Sequence, residues 1–154
     1  MIRFHSVDIW SQFTIGINCI IAVLLGSVIG WERDRAGKSA GARTMGLVAG
    51  ACSVIVGIGE VMDINAKLGD PTRALHAVIT GIGFLGAGLI FSGKRGSVYG
   101  VTTAATVFAT AAMGVSVGLG FQVLGVIFTI VIFAVLRSTQ VLERTLHLHD
   151  PKED

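Results

Sequence analysis

DPTRALHAVITGIGFLGAGLIF, residues Asp70–Phe91, decides the fold. Asp70 is a good helix N-cap, because its carboxylate accepts bonds from the free N–H groups of a first turn. Pro71 suits the first helical position, where a missing N–H costs nothing. The run then stays apolar as far as Lys94 and Arg95, and it carries Gly81, Gly83, Gly86 and Gly88. In water each such glycine weakens a helix by about 1 kcal/mol relative to alanine. In lipid small residues have a use, since helices associate there by close backbone approach. At about 100° per residue, Ala74, Ala77, Gly81 and Gly88 share one face, and Gly83, Gly86 and Ala87 share a nearly opposite one. Two smooth faces predict a helix clasped from two sides at the centre of a bundle.

The whole chain agrees with a bilayer setting. Its 154 residues are 52% hydrophobic and only 14% charged, with a mean hydropathy of +0.74. Soluble domains carry about 25% charged residues. A net charge of +2 is too small to argue for nucleic acid. Several apolar runs approach the ~20 residues that cross a bilayer. The fold class is therefore an all-α membrane protein, a compact bundle of five transmembrane helices. Cys19 and Cys52 lie inside apolar runs and read as small buried side chains. The N-terminus has one basic residue, Arg3, and no small-x-small cleavage site, so the first apolar run reads as a retained span.

Residues 1–12 form an amphipathic lead in which Trp10 suits the headgroup level. The membrane domain is 13–136, with spans at about 13–30, 45–62, 72–91, 101–117 and 121–136. Gly26 and Gly30 in the first span, and Gly46 and Gly50 in the second, make GxxxG pairs, a pattern also common by chance. Glu32–Arg43 is charged and glycine-bearing, hence a loop with at most a last helical turn. The fourth span carries Thr102, Thr103, Thr106 and Thr110 beside many alanines, and its lack of bulk predicts packing inside protein. The fifth is bulky and aliphatic, as a lipid-facing helix would be. Residues 137–154 form a tail that begins as a helical continuation, with Leu142 and Leu146 on one face.

Basic residues set orientation, since they accumulate on cytoplasmic loops. The first and third loops and the tail hold Arg33, Arg35, Lys38, Arg43, Lys94, Arg95, Arg137, Arg144 and Lys152, nine of the twelve. The other side holds Arg3, Lys67 and Arg73. The expectation is a bacterial inner-membrane protein with its C-terminus in the cytoplasm and its N-terminus outside.

Polar groups within the spans are the candidates for function. Gly81-x-Gly-x-x-Gly86 matches a dinucleotide fingerprint on paper, but no strand precedes it and no acid follows at the right distance. Arg73, in a helical first turn, opposes the macrodipole and needs an acid, with Asp70, Glu60 or Asp63 in reach. Glu32 stands at the end of the first span, where Arg35 or Arg43 could compensate it. His76 reads as a packing residue more readily than as a proton relay. His147, His149 and Asp150 on the tail are a weak ligand set. Glu60, Asp63 and Asp70 are the metal-ligand candidates on the outer side. No cofactor is implied beyond Mg2+ or another cation at those carboxylates. Nucleophile–base arrangements, a Gly-x-Ser-x-Gly elbow and a phosphate-binding lysine loop are all missing from the sequence, which argues against an enzyme.

In order, Gly30-Trp-Glu-Arg33, Lys38-Ser-Ala-Gly-Ala-Arg-Thr44, Asp70-Pro-Thr-Arg73, Gly81-Ile-Gly-Phe-Leu-Gly-Ala-Gly88 and Gly100-Val-Thr-Thr-Ala-Ala105 resemble the membrane domain of the MgtC/SapB family of bacterial membrane proteins. The resemblance covers nearly the whole chain, with Trp31 and Val101 standing where aliphatics are usual. It implies an inner-membrane protein linked to magnesium limitation and, in pathogens, to survival inside host cells. It also implies action on other membrane machinery, including the proton-driven ATP synthase, rather than carriage of magnesium. Longer members add a soluble C-terminal domain. The polar residues that the matching stretches single out are Glu32, Arg33, Lys38, Arg43, Thr44, Asp70, Arg73, Thr102 and Thr103.

Two classes of function follow. One is a regulator or scaffold working by helix contacts, for which the smooth faces also suit a homodimer. The other is a cation or proton transporter, in which a glycine-dense helix breaks and exposes carbonyls to an ion.

Overall fold

A computed structural model describes residues 8–66, 72–92 and 98–147, with side chains described as far as residue 62 in the second helix and residue 138 in the fifth. It contains five helices, α1 (Ile9–Arg35), α2 (Ala42–Ala66), α3 (Thr72–Leu89), α4 (Val101–Gly118) and α5 (Gln122–His147). The protein is an all-α membrane bundle. Four of the helices, α1 to α4, are long and apolar enough to cross a bilayer, and α5 has a shorter apolar stretch at Gln122–Ser138. Between α3 and α4 lies a two-stranded antiparallel ribbon, β1 (Phe91–Ser92) with β2 (Val98–Tyr99). The Phe91 and Tyr99 rings stack across it at 5.9 Å. Asp70, Pro71, Lys94 and Arg95 lie outside the described residues, as do Lys67, His149 and Asp150.

Glycines end two of the helices. Past α1, the Lys38 N–H bonds the Arg33 carbonyl and the Gly37 N–H bonds the Asp34 carbonyl. Gly37 has φ +65°, so this is a Schellman cap with glycine at its left-handed position. The same arrangement closes α4, where Gly120 (φ +85°) bonds Val117 and Phe121 bonds Ser116. The first cap fixes a boundary: α1 runs on to Arg35, so Glu32 and Arg33 lie in the last helical turn that the sequence allows at the start of this stretch.

Helix order alternates in direction. Across the α1–α2 pair, Gly26 meets Met45 and Ala49 while Gly57 meets Ile15, so the two run antiparallel. Thr110 donates to the Met45 sulfur at 3.5 Å, Gly114 lies against Ala49, and Gly118 lies against Ser53. Helices α2 and α4 therefore run parallel in fixed register. Gln122 Nε2 donates to Asn18 Oδ1 at 2.9 Å, tying the start of α5 to α1. Ala22, Ile29, Ala49, Met113, Val117, Ile132 and Leu136 form one core cluster among α1, α2, α4 and α5.

Close helix contact is made by glycine pairs four residues apart, at Gly26 and Gly30 of α1, at Gly46 and Gly50 of α2, and also at Gly114 and Gly118 of α4. A Cβ on Gly26 would stand 2.6 Å from the Met45 carbonyl oxygen, and one on Gly30 would stand 2.5 Å from the Ala42 Cα. On Gly118 it would stand 2.5 Å from the Ser53 carbonyl oxygen. The expectation of a central third helix is corrected. Among the described residues, Gly81, Gly83 and Gly88 have nothing within 4 Å of where a Cβ would be, and Gly86 has only the Ala104 Cβ at 3.8 Å. Helix α3 sits at the edge of the bundle. It turns inward a stripe of Val78 and Ile82, both buried, with half-buried Leu75 and Leu89. Burying such side chains gains more contact than a bare backbone does. Thr103, Thr106 and Thr110 are buried, so α4 takes the interior position its small residues suggest.

Candidate functional site

The end of the bundle where α1 finishes and α2 and α4 begin concentrates the polar chemistry. Glu32 and Arg33 are buried there, at 4% and 3% exposure. They are consecutive, and both face inward because the face that carries Ala22, Gly26 and Ile29 continues into them one turn later. Arg33 Nη1 lies 3.8 Å from Glu32 Oε2, an ion pair longer than a hydrogen bond. Among the described residues, Arg33 Nε and Nη2 have no hydrogen-bond partner. Isolated charges in such surroundings cost several kcal/mol, so each must steady the other. The cation is also well placed at a helix C-terminus.

Partners differ from those that spacing suggests. Arg35 lies over the Trp31 ring at 4.0 Å, Arg43 is exposed, and Arg33 is the cation beside Glu32. Asp34, which sequence reading passes over, accepts a bond from the Ala42 N–H at 2.9 Å and caps α2 from the end of α1. Its signal was present: an acid followed by a glycine-bearing loop and a helix start. The half-buried Asn18–Gln122 bond had no local signal, since its partners lie 104 residues apart.

The other candidates scatter. Lys38, Thr44 and Thr102 are exposed, while Thr103 is buried in α4. Arg73 is exposed in the first turn of α3, and among the described residues no ion pair joins it to Glu60. Glu60 is exposed on α2, and the side chain of Asp63 lies outside the described residues, as does Asp70. His76 is exposed, and its carbonyl accepts the Thr80 hydroxyl at 2.8 Å. Among the described residues no group of three His, Cys, Asp or Glu side chains converges on one point.

A further feature is the groove between α2 and α3, of about 410 Å³ and lined by Leu47, Ala51, Cys52, Ala77, Gly81 and Leu85 among others. It is apolar, and the glycine-bearing side of α3 forms one of its walls.

Apolar helices locked at glycines around a buried acid–base pair define an integral membrane protein of the small helical-bundle kind. Residues 19–145 match the model of the MgtC family. The chain belongs to that family. It is 38% identical to the protein SrpB of Synechococcus elongatus over 90% of this chain and 82% of that one. It is 38% identical to the protein MgtC of Brucella abortus over 88% of this chain and 57% of the relative. It is 37% identical to the putative magnesium transporter YhiD of Escherichia coli K12 over 78% of this chain and 58% of the relative. The chain thus spans a little over half the length of the last two. No solved structure matches.

Proposed function

We propose that this chain is a non-enzymatic regulator of the bacterial inner membrane in adaptation to low magnesium, acting by helix contacts with membrane-protein partners. The observation that carries the reading is the bare backbone of α3 on two faces, at Gly81 and Gly88 on one and Gly83 on the other, where an added Cβ would meet nothing within 4 Å among the described residues. Small residues left uncovered in a bilayer favour association with another helix. Family membership and a relative named MgtC support the physiological setting. The resemblance makes the proton-driven ATP synthase the first partner to examine, with a second copy of this chain as the other. By the charge rule the end bearing Arg33, Arg35, Lys38 and Arg43 faces the cytoplasm. A role in survival inside host cells is part of the same proposal for members from pathogens.

Complementation tests this. In a strain lacking its own copy, Gly81→Leu and Gly83→Leu should accumulate in the membrane yet fail to restore growth at low magnesium. Full rescue by both would overturn the proposal.

A transport reading draws on the buried Glu32–Arg33 pair, since ionisable groups inside a membrane mark ion and proton paths, and on the printed name of the Escherichia coli relative. Flux of Mg2+ or protons into liposomes holding the purified protein, abolished by Glu32→Gln, would favour it. Absence of flux in a preparation that still binds a partner would favour regulation.

A further inference from the structure

The guanidinium of Arg33 carries a second, unused side. Nη1 is turned toward Glu32 at 3.8 Å. Nε and Nη2, both buried, have no hydrogen-bond partner among the described residues. These two nitrogens make the side-on fork of arginine, two parallel N–H donors whose spacing matches two oxygens of one oxyanion. A fork shielded from water at 3% exposure is poorly served as it stands, because each buried N–H without an acceptor costs free energy.

The surroundings select the anion. Arg33 is two residues from the end of a membrane-spanning helix. Trp31, half exposed beneath Arg35, stands one turn or less away, as aromatic residues do at the headgroup level. Arg35, Lys38 and Arg43 are exposed around the same corner, and the Asp34 carboxylate is occupied by the Ala42 N–H. The corner is therefore cationic at the depth where lipid phosphates lie. We infer that the Nε–Nη2 fork of Arg33 is a phosphate oxyanion site, filled by an anionic lipid headgroup or by free phosphate. This is independent of the regulator reading and of any partner on α3. Entry requires the Ala36–Gly41 loop, which closes back onto the Arg33 carbonyl through Lys38, to give way. The surface cations attract the anion and the fork holds it.

Native mass spectrometry of the delipidated protein in a neutral detergent tests this, with phosphatidylglycerol, phosphatidylcholine and inorganic phosphate as probes. Wild-type protein should retain one phosphatidylglycerol in preference to phosphatidylcholine. Arg33→Gln should weaken that binding about ten-fold or more, as loss of charge-assisted bonds does. Arg33→Lys, which keeps the charge but lacks the fork, should also weaken it while melting within a few degrees of wild type. Lys38→Ala should change it by only about two-fold, and raising salt should affect it little, because buried charges are weakly screened. Phosphate competing with the lipid at the same site would support the free anion as a source. Equal binding by wild type and Arg33→Lys, or a larger loss in Lys38→Ala than in Arg33→Lys, would overturn the assignment.

Discussion

Glu32 and Asp34 are two residues apart and do different work. Glu32 points into the bundle beside Arg33, whereas Asp34 points out and across the loop to the first N–H of α2. Removing the cap, Asp34→Ala, should cost about 1 kcal/mol and lower the melting temperature by a few degrees, with the helical signal retained. Removing one half of the buried pair is harsher. Glu32→Ala should cost about 3–5 kcal/mol, because it leaves a cation buried, whereas Arg43→Ala on the exposed side should stay within about 0.5 kcal/mol. Thermal unfolding in detergent measures all three. The importance of Glu32 was legible from its place at the end of an apolar run. Its partner was not, because i+3 spacing along a helix assumes that both side chains meet on one surface, and here Arg35 turns outward onto Trp31. Gly37 at its left-handed position is what ends α1 after Arg35 and so sets Glu32 and Arg33 on the inward face.

At the scale of elements, the spacing of the glycines located the α1–α2 contact at Gly26, Gly30, Gly46 and Gly50, and misplaced only the role of α3. Bare positions four apart do bring helices into backbone contact, at Gly26 and Gly30 and again at Gly114 and Gly118. The denser glycines of α3 make no such contact, with nothing within 4 Å of a Cβ at Gly81, Gly83 or Gly88 among the described residues. Counting glycines cannot separate a face that meets its own chain from one that stays open to the bilayer. The discriminating signal was bulk: Leu75, Val78 and Ile82 give α3 an aliphatic stripe that competes for the inward position. The interior place of α4 was legible because nearly every face of it is small, with Thr103, Thr106 and Thr110 absorbed by the core. Thr106 and Thr129 each donate to a carbonyl one turn earlier, so their hydroxyls need no other helix. Replacing Thr106 by Val should therefore leave the fold intact and shift the melting temperature by only a few degrees.

For the whole molecule, membrane class and alternation of helices followed from composition and hydropathy. Register between distant helices did not, since the parallel pairing of α2 with α4 rests on contacts 65 residues apart. That pairing is testable: a Met45→Cys, Thr110→Cys protein should crosslink within one chain on oxidation in membranes. Failure to crosslink, with both thiols reactive, would mean a different register. The bundle thus has a closed part, α1, α2, α4 and α5 locked at small residues, and an open part, the bare glycine positions of α3. The proposed regulatory role depends on that division.

The most direct measurement compares Gly114→Leu with Gly83→Leu by thermal unfolding of the purified proteins in the same detergent. Gly114 lies against the Ala49 backbone, and Gly83 has open space around it. Gly114→Leu should fail to yield a folded protein or should melt far below wild type, while Gly83→Leu melts within a few degrees of it. A Gly83→Leu protein that is as unstable as Gly114→Leu, or a Gly114→Leu protein as stable as wild type, would contradict the division between a locked core and an open third helix.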